Sequence, residues 1–360
     1  MKYRIEADGQ TPAYMQLYHY LRRDIVDGVY AYGHRLPSKR LLAEETGVSV
    51  ITVEHAYHIL CDEGYVESRE RSGYFAVYRR DDFLLGGEEP TPSVPALGHV
   101  HAAGGDFPFS VLAKTMRRVL SSYGDRILVK SPNRGCAELR QAIASYLARS
   151  HGITVQAEQI VIGAGSEYLY GLIAQLLGQE RVFALESPSY DKIRSVYEAS
   201  GVRCELLKLG HDGIKSTELA RTEATVLHVT PFHSFPSHVS ADVSKRNDYL
   251  AWARTRGGYI IEDNYDSELT ISRKNEDTVF AMSGGEDVIY LNTFSQTIAP
   301  SFRVGYMVLP RSLLAEFERK LGFYSCTVSV FEQYVLAELI REGDFERHIH
   351  RVRRARRKKL

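Results

Sequence analysis

Five apolar runs follow one another between residues 159 and 295: QIVIGAG, RVFALESPSY, ATVLHVTPFHSFP, GYIIEDNYD and DVIYLNTFS. Helical stretches such as SEYLYGLIAQLLG and DKIRSVYEASG separate them. Strands this continuously apolar must be covered on both faces, and helices between them supply the cover. The alternation therefore predicts an α/β domain built on a mostly parallel sheet. In such sheets ligands bind beyond the carboxyl ends of the strands, so chemistry is sought where each apolar run stops.

A chain of 360 residues is too long for one small domain. Residues 1–78 read as a separate unit. PAYMQLYHYLRRDIVDG carries apolar residues at helical spacing (Met15, Leu17, Tyr18, Leu21, Ile25). Ser38 is placed to cap a second helix ending at Gly47, and Ser49 a third ending at Gly64, with Val50, Val53, Tyr57 and Leu60 as its stripe. YVESRERSGYFAVY reads as two short strands around Ser72-Gly73. Three helices and a hairpin make a winged helix-turn-helix, an α+β unit. Residues 79–106, rich in proline, glycine and charge, read as a linker, and 107–360 as the large domain.

The formal net charge is zero, so binding to nucleic acid requires a local patch. Residues 1–80 hold eleven Lys/Arg and eleven Asp/Glu, so the head is not basic overall. Its candidate DNA contacts are Arg35, Ser38, Lys39 and Arg40 around the second helix, Ser49, Thr52 and His55 on the third, and Arg69, Arg71 and Gly73 on the wing. Solvated surface charge is the alternative for the cations. Four dispersed cysteines without a CxxC pair suggest reduced thiols in a cytoplasmic protein. No apolar run is long enough to span a bilayer, and no histidine spacing suggests a metal site.

The head resembles the winged-helix domain of GntR-type bacterial transcription regulators through G-x-R-L-P-S-x-R-x-L-A, G-V-S-x-x-T-V and L-x-x-E-G-Y. The resemblance implies a double-stranded DNA operator as partner. It places a DNA-contacting arginine after the cap serine, where this chain has Val50 followed by Ile51. An aliphatic side chain can touch a thymine methyl but cannot bond guanine in bidentate fashion.

At the strand ends of the large domain, Gly165 and Ser166 open a helix whose amides suit an anion, although close packing explains the glycines equally well. Tyr190 is placed to stack on a planar ring or to complete the core. Glu262 and Asp263 end an apolar strand; a carboxylate there needs a cation or several donors, or serves as a helix cap. Thr293, Ser295 and Arg303 make a cup suited to phosphate.

Together these strand ends resemble the site of fold-type-I pyridoxal-phosphate enzymes. DFPFSVLAKTMRRVL, G-x-x-x-L-R-x-x-I-A-x-Y-L, EDNYDSE and TFSQTIAPSFRVGY extend the likeness to the MocR subfamily of GntR regulators, whose large domain is aminotransferase-like. The resemblance implies Asp263 at the pyridine nitrogen, Tyr265 at the phenolic oxygen and Tyr190 on the ring face. It implies Gly165, Ser166, Thr293, Ser295 and Arg303 around the phosphate, and a homodimer.

Gln296 stands where that family has its Schiff-base lysine. A carboxamide cannot condense with an aldehyde, so the expectation is a catalytically inactive homologue that senses pyridoxal phosphate, or a related phosphorylated or amino-acid effector, noncovalently. The alternatives are an aminotransferase with a DNA-binding head, and a ligand-independent DNA-binding dimer that holds no cofactor. Ser234 and His238 replace the family's glutamine and glycine. The resemblance also implies a further small domain beyond Leu360, which suggests a fragment or a shortened relative.

Overall fold

The computed structural model describes residues 3, 5, 11–70, 72–78, 107–265, 267–269 and 277–358. The expected linker and Arg71 lie outside the described residues. The chain divides into two compact units, Met1–Leu97 and Gly98–Leu360.

In the first unit, α1 (Ala13–Val26), α2 (Lys39–Thr46) and α3 (Val50–Asp62) precede an antiparallel pair, β1 (Val66–Arg69) and β2 (Gly73–Ala76). The caps form as their residue types dictate. Ser38 Oγ accepts from the Leu41 amide at 3.2 Å and Ser49 Oγ from the Thr52 amide at 3.1 Å. Between them Gly47 takes φ 72°, the left-handed geometry that ends α2 and turns the chain into α3. Leu17, Leu21, Leu42, Val53, Tyr57 and Leu60 fill the core. Val50 does not join the expected stripe: it is 40% exposed, and Ala56 takes the inward place. The i, i+3, i+4, i+7 set of α3 is Val53, Ala56, Tyr57 and Leu60, one turn further on.

The large unit is a seven-stranded sheet of β3 (Ile160–Gly163), β4 (Val182–Ser187), β5 (Arg203–Lys208), β6 (Val226–Val229), β7 (Tyr259–Asp263), β8 (Val288–Thr293) and β9 (Gly305–Val308). Their order is β3-β9-β8-β7-β6-β4-β5; β9 is antiparallel to both neighbours and the other pairs are parallel. Alternate residues feed two cores. Ile260, Val288 and Tyr290 face one, and Ile261, Ile289 and Leu291 the other. One core is closed by α4 (Phe109–Tyr123), α5 (Ala137–His151), α8 (Ser216–Arg221), α9 (Val243–Arg256), α10 (Val279–Ser283), α12 (Val330–Arg341) and α13 (Asp344–Arg357). The other is closed by α6 (Ser166–Leu177), α7 (Asp191–Ala199) and α11 (Leu314–Leu321).

Strands β5 and β9 were not among the expected runs. β5 is an edge strand with only Leu207 fully buried, so its apolar signal is weak. β9 is four residues long and follows the cup directly. Strand order reverses at β4, with β5 on one side and β6 on the other. That reversal opens a crevice at the carboxyl ends, where loops from β4, β6 and β7 converge.

Candidate functional site

A cavity of about 310 Å³ fills the crevice. Ser166, Tyr190, Asp263, Tyr265, Thr293, Ser295 and Arg303 all line it, with Gln296 among them. Gly165 is at its edge: φ is 86°, and a Cβ there would come within 3.3 Å of the Arg303 guanidinium.

Asp263 ends β7 with 3% exposure. Its Oδ2 accepts a short hydrogen bond from the Tyr170 hydroxyl, and His228 Nε2 lies 3.6 Å from the same oxygen. His228 Nδ1 is held by the Tyr197 hydroxyl at 2.8 Å, while Nε2 has no hydrogen-bond partner. Burial, and after it Asp263, holds the Tyr170 hydroxyl well above the usual phenol range. A carboxylate so placed has a hydroxyl and an imidazole behind it and a cavity in front, which suits a cationic or N–H donor. The neighbouring Glu262 does what its helix-cap alternative predicted. It accepts from the Val279 and Phe280 amides at 3.0 and 2.7 Å, and burial pushes its carboxyl up to about 7.

Across the cavity, Thr293 Oγ1 donates within the cup, to Ser295 Oγ or the Val304 carbonyl, both at 3.2 Å. Ser295 Oγ donates to the Phe302 carbonyl at 2.8 Å. Both hydroxyls can rotate toward an incoming oxygen. The Arg303 fork meets Glu167 at 3.1 Å, and Glu167 also pairs with Lys192 at 2.8 Å. Glu167 is held below the usual carboxylate range, chiefly by Lys192.

Tyr190 is 38% exposed and meets Phe235 edge-on at 6.4 Å. Tyr265 donates to the His233 carbonyl at 3.1 Å. Gln296 is half-buried, and its carboxamide makes no hydrogen bond to a described residue. Ser234 is buried and donates to Glu186 at 2.7 Å. His238 takes φ 58°, left-handed geometry that glycine adopts without strain, and its ring bonds that of His233 at 3.0 Å.

Residue-level reading missed Tyr170, Thr230, Ile193 and Phe235 in the lining, and Lys192 beside it. Tyr170 carried a usable signal. It lies four residues after Ser166 on α6, hence on the same helical face. Among the described residues, no group of three or more His, Cys, Asp or Glu could hold a metal ion, and no helix is long and apolar enough to cross a membrane.

On the head, Arg35 and Gly73 come together: a Cβ on Gly73 would lie 3.2 Å from Arg35 Nε. Lys39 is committed to Glu54 at 2.5 Å, and His55 stacks on Tyr14 at 4.1 Å. Arg69 lies over the Phe75 ring at 4.6 Å, while Arg40 is exposed. Ser49 Oγ is 2.8 Å from Thr52 Oγ1. At the start of α3 the most exposed large side chain is Ile51, at 78%.

Comparison with known proteins bears on both units. Residues 13–76 match the model for bacterial regulatory proteins of the gntR family, and residues 101–359 that for aminotransferase class I and II. The chain is 34% identical to the uncharacterized HTH-type transcriptional regulator YdeL of Bacillus subtilis, covering 97% of this chain and 77% of that one. It is 27% identical to the HTH-type pyridoxine biosynthesis transcriptional regulator PdxR of Corynebacterium glutamicum, covering 94% and 75%. Among solved structures, LysN, the alpha-aminoadipate aminotransferase of Thermus thermophilus complexed with N-(5'-phosphopyridoxyl)-L-leucine, superposes with a TM-score of 0.62. Identity there is 27%, over 70% of this chain and 65% of that one, so the chain spans just under two thirds of that aminotransferase.

Proposed function

The chain belongs to the DNA-binding transcription regulators of the MocR type, which join a gntR-family head to an aminotransferase class I and II domain, and from that premise we propose that its large domain is a noncovalent receptor for pyridoxal phosphate or a closely related phosphorylated effector. The carrying observation is the convergence of Asp263, Tyr190, Ser166, Thr293, Ser295 and Arg303 on one cavity, with Gln296 where the family resemblance expects lysine.

Pyridoxal phosphate supplies an electron-withdrawing pyridine ring and a reactive aldehyde. Asp263 would hold a proton on the ring nitrogen, its charge kept in place by Tyr170 behind it. Tyr190 would cover the ring, and Tyr265 would address the phenolic oxygen. Gln296 offers an amide donor and acceptor but no nucleophilic amine, so the reading excludes transamination through this residue. The buried Asp263 beside the orphaned His228 nitrogen fits the ring; the hydroxyls and Arg303 fit the phosphate, apart from Glu167. The likeness to PdxR, a regulator of pyridoxine biosynthesis, supports an effector of the vitamin-B6 class.

On this reading the protein is a cytoplasmic homodimer whose heads change their geometry on DNA when the cavity fills. Such coupling is worth about 1–3 kcal/mol. The test is a gel shift on the DNA upstream of the protein's own gene, with and without pyridoxal phosphate, alongside calorimetry. Binding heat plus an altered operator affinity supports the receptor. Operator binding indifferent to the vitamer, with no heat, favours a ligand-independent dimer. A borohydride-reducible lysine adduct would restore the enzyme reading.

A further inference from the structure

The anion-binding end of the cavity already contains an anion. Glu167 is the second residue of α6, where the helix amides favour negative charge. Its two carboxylate oxygens are divided between two cations: Oε1 takes Lys192 at 2.8 Å and Oε2 takes Arg303 at 3.1 Å. Arg303 also lies against the Gly165 backbone, at the mouth of the same helix terminus. Helix terminus and both cations thus converge on one point, and a side chain of this protein occupies it.

We propose that Glu167 is a built-in competitor for the phosphate subsite, displaced from Arg303 and Lys192 when a phosphorylated ligand enters. The proposal rests on the receptor reading above and adds a selectivity rule to it. A ligand carboxylate would replace one carboxylate by another and gain little from the exchange. A phosphate dianion brings twice the charge and three acceptor oxygens to the same two cations. The competitor is displaceable because its pairs are open to solvent, with side-chain exposures of 33% for Glu167, 55% for Arg303 and 58% for Lys192. Ion pairs this exposed are weak. Glu167 therefore screens ligands by charge without closing the cavity.

The test compares wild type with Glu167→Gln by calorimetric titration of pyridoxal phosphate and of pyridoxal, which lacks the phosphate. The expected result is about ten-fold tighter binding of pyridoxal phosphate to the variant, with pyridoxal unchanged within about two-fold. Glu167→Ala, which cannot bond to Arg303, should reproduce the shift, and thermal melting checks that both variants fold. Equal or weaker binding of pyridoxal phosphate by both variants overturns the displacement while leaving the receptor standing. An equal shift for both ligands also overturns it, because Glu167 would then act on the whole cavity. Failure of wild type and variants to bind either ligand overturns the proposal together with the receptor.

Discussion

Replacing Asp263 by Asn removes the charge that the receptor reading assigns to the ring nitrogen while keeping the side chain's shape. Asp263 is almost fully enclosed, with the Tyr170 hydroxyl on Oδ2 and His228 Nε2 at 3.6 Å. In the ligand-free protein neither of these partners is a fixed cation, so neutralising Asp263 breaks no fixed ion pair and also removes a burial cost. The melting temperature of the free variant should stay close to wild type. In the complex the carboxylate would bond a protonated ring nitrogen, and hydrogen bonds to charged groups contribute roughly 1.5–3 kcal/mol. At about 1.4 kcal/mol per ten-fold, pyridoxal phosphate should bind roughly 10- to 150-fold more weakly. Calorimetric titration measures this, and a vitamer analogue with carbon in place of the ring nitrogen supplies the control. It should bind both proteins alike. A loss of less than about three-fold for the vitamer, or an equal loss for the analogue, would refute the assignment of Asp263 to the ring nitrogen.

Three further outcomes are expected. Gln296→Lys should allow borohydride to trap pyridoxal phosphate on residue 296, detected as a mass increase in a peptide carrying that position, while wild type gains none there. Burial pushes the Glu186 and Glu262 carboxyls up to about 7 from 4.5, so the folded state keeps protons that the unfolded chain has lost; stability should fall as pH rises from about 4.5 to about 7. Glu186→Gln should remove about half of that fall in denaturant titrations, since each group contributes up to about 1.4 kcal/mol per pH unit. Ile51→Ala should weaken binding to a selected operator, and uracil in place of thymine should weaken wild type but leave the variant unaffected, because the 78%-exposed Ile51 has only apolar contact to offer a base. An operator whose affinity ignores the thymine methyls would contradict this.

Much of the site was legible because strand ends and residue types carry it. Asp263, Thr293 and Ser295 stand where apolar runs stop and Arg303 just before β9, and all of them reach the same cavity. Tyr170 was not legible as an Asp263 partner. The two are 93 residues apart and meet only because α6 packs across the sheet. The edge strand β5 went unread because half-exposed edges dilute the apolar signal. On the head, Lys39 and His55 looked available, yet Glu54 and Tyr14 engage them.

Local chemistry, then, was decided by the chain itself: caps at Ser38 and Ser49, the helix-turn-helix spacing, two-faced apolar strands, and an amide at position 296. These depend on neighbours within a few residues, so their outcome is written in order along the polypeptide. Tertiary packing decided which charges are spent. Only the folded domain brings Arg303 and Lys192 onto Glu167, sets Tyr170 behind Asp263 and turns Glu262 away to cap α10. Electrostatic energy depends on distance and on access to solvent, and neither is defined until helices from distant parts of the chain close over the sheet.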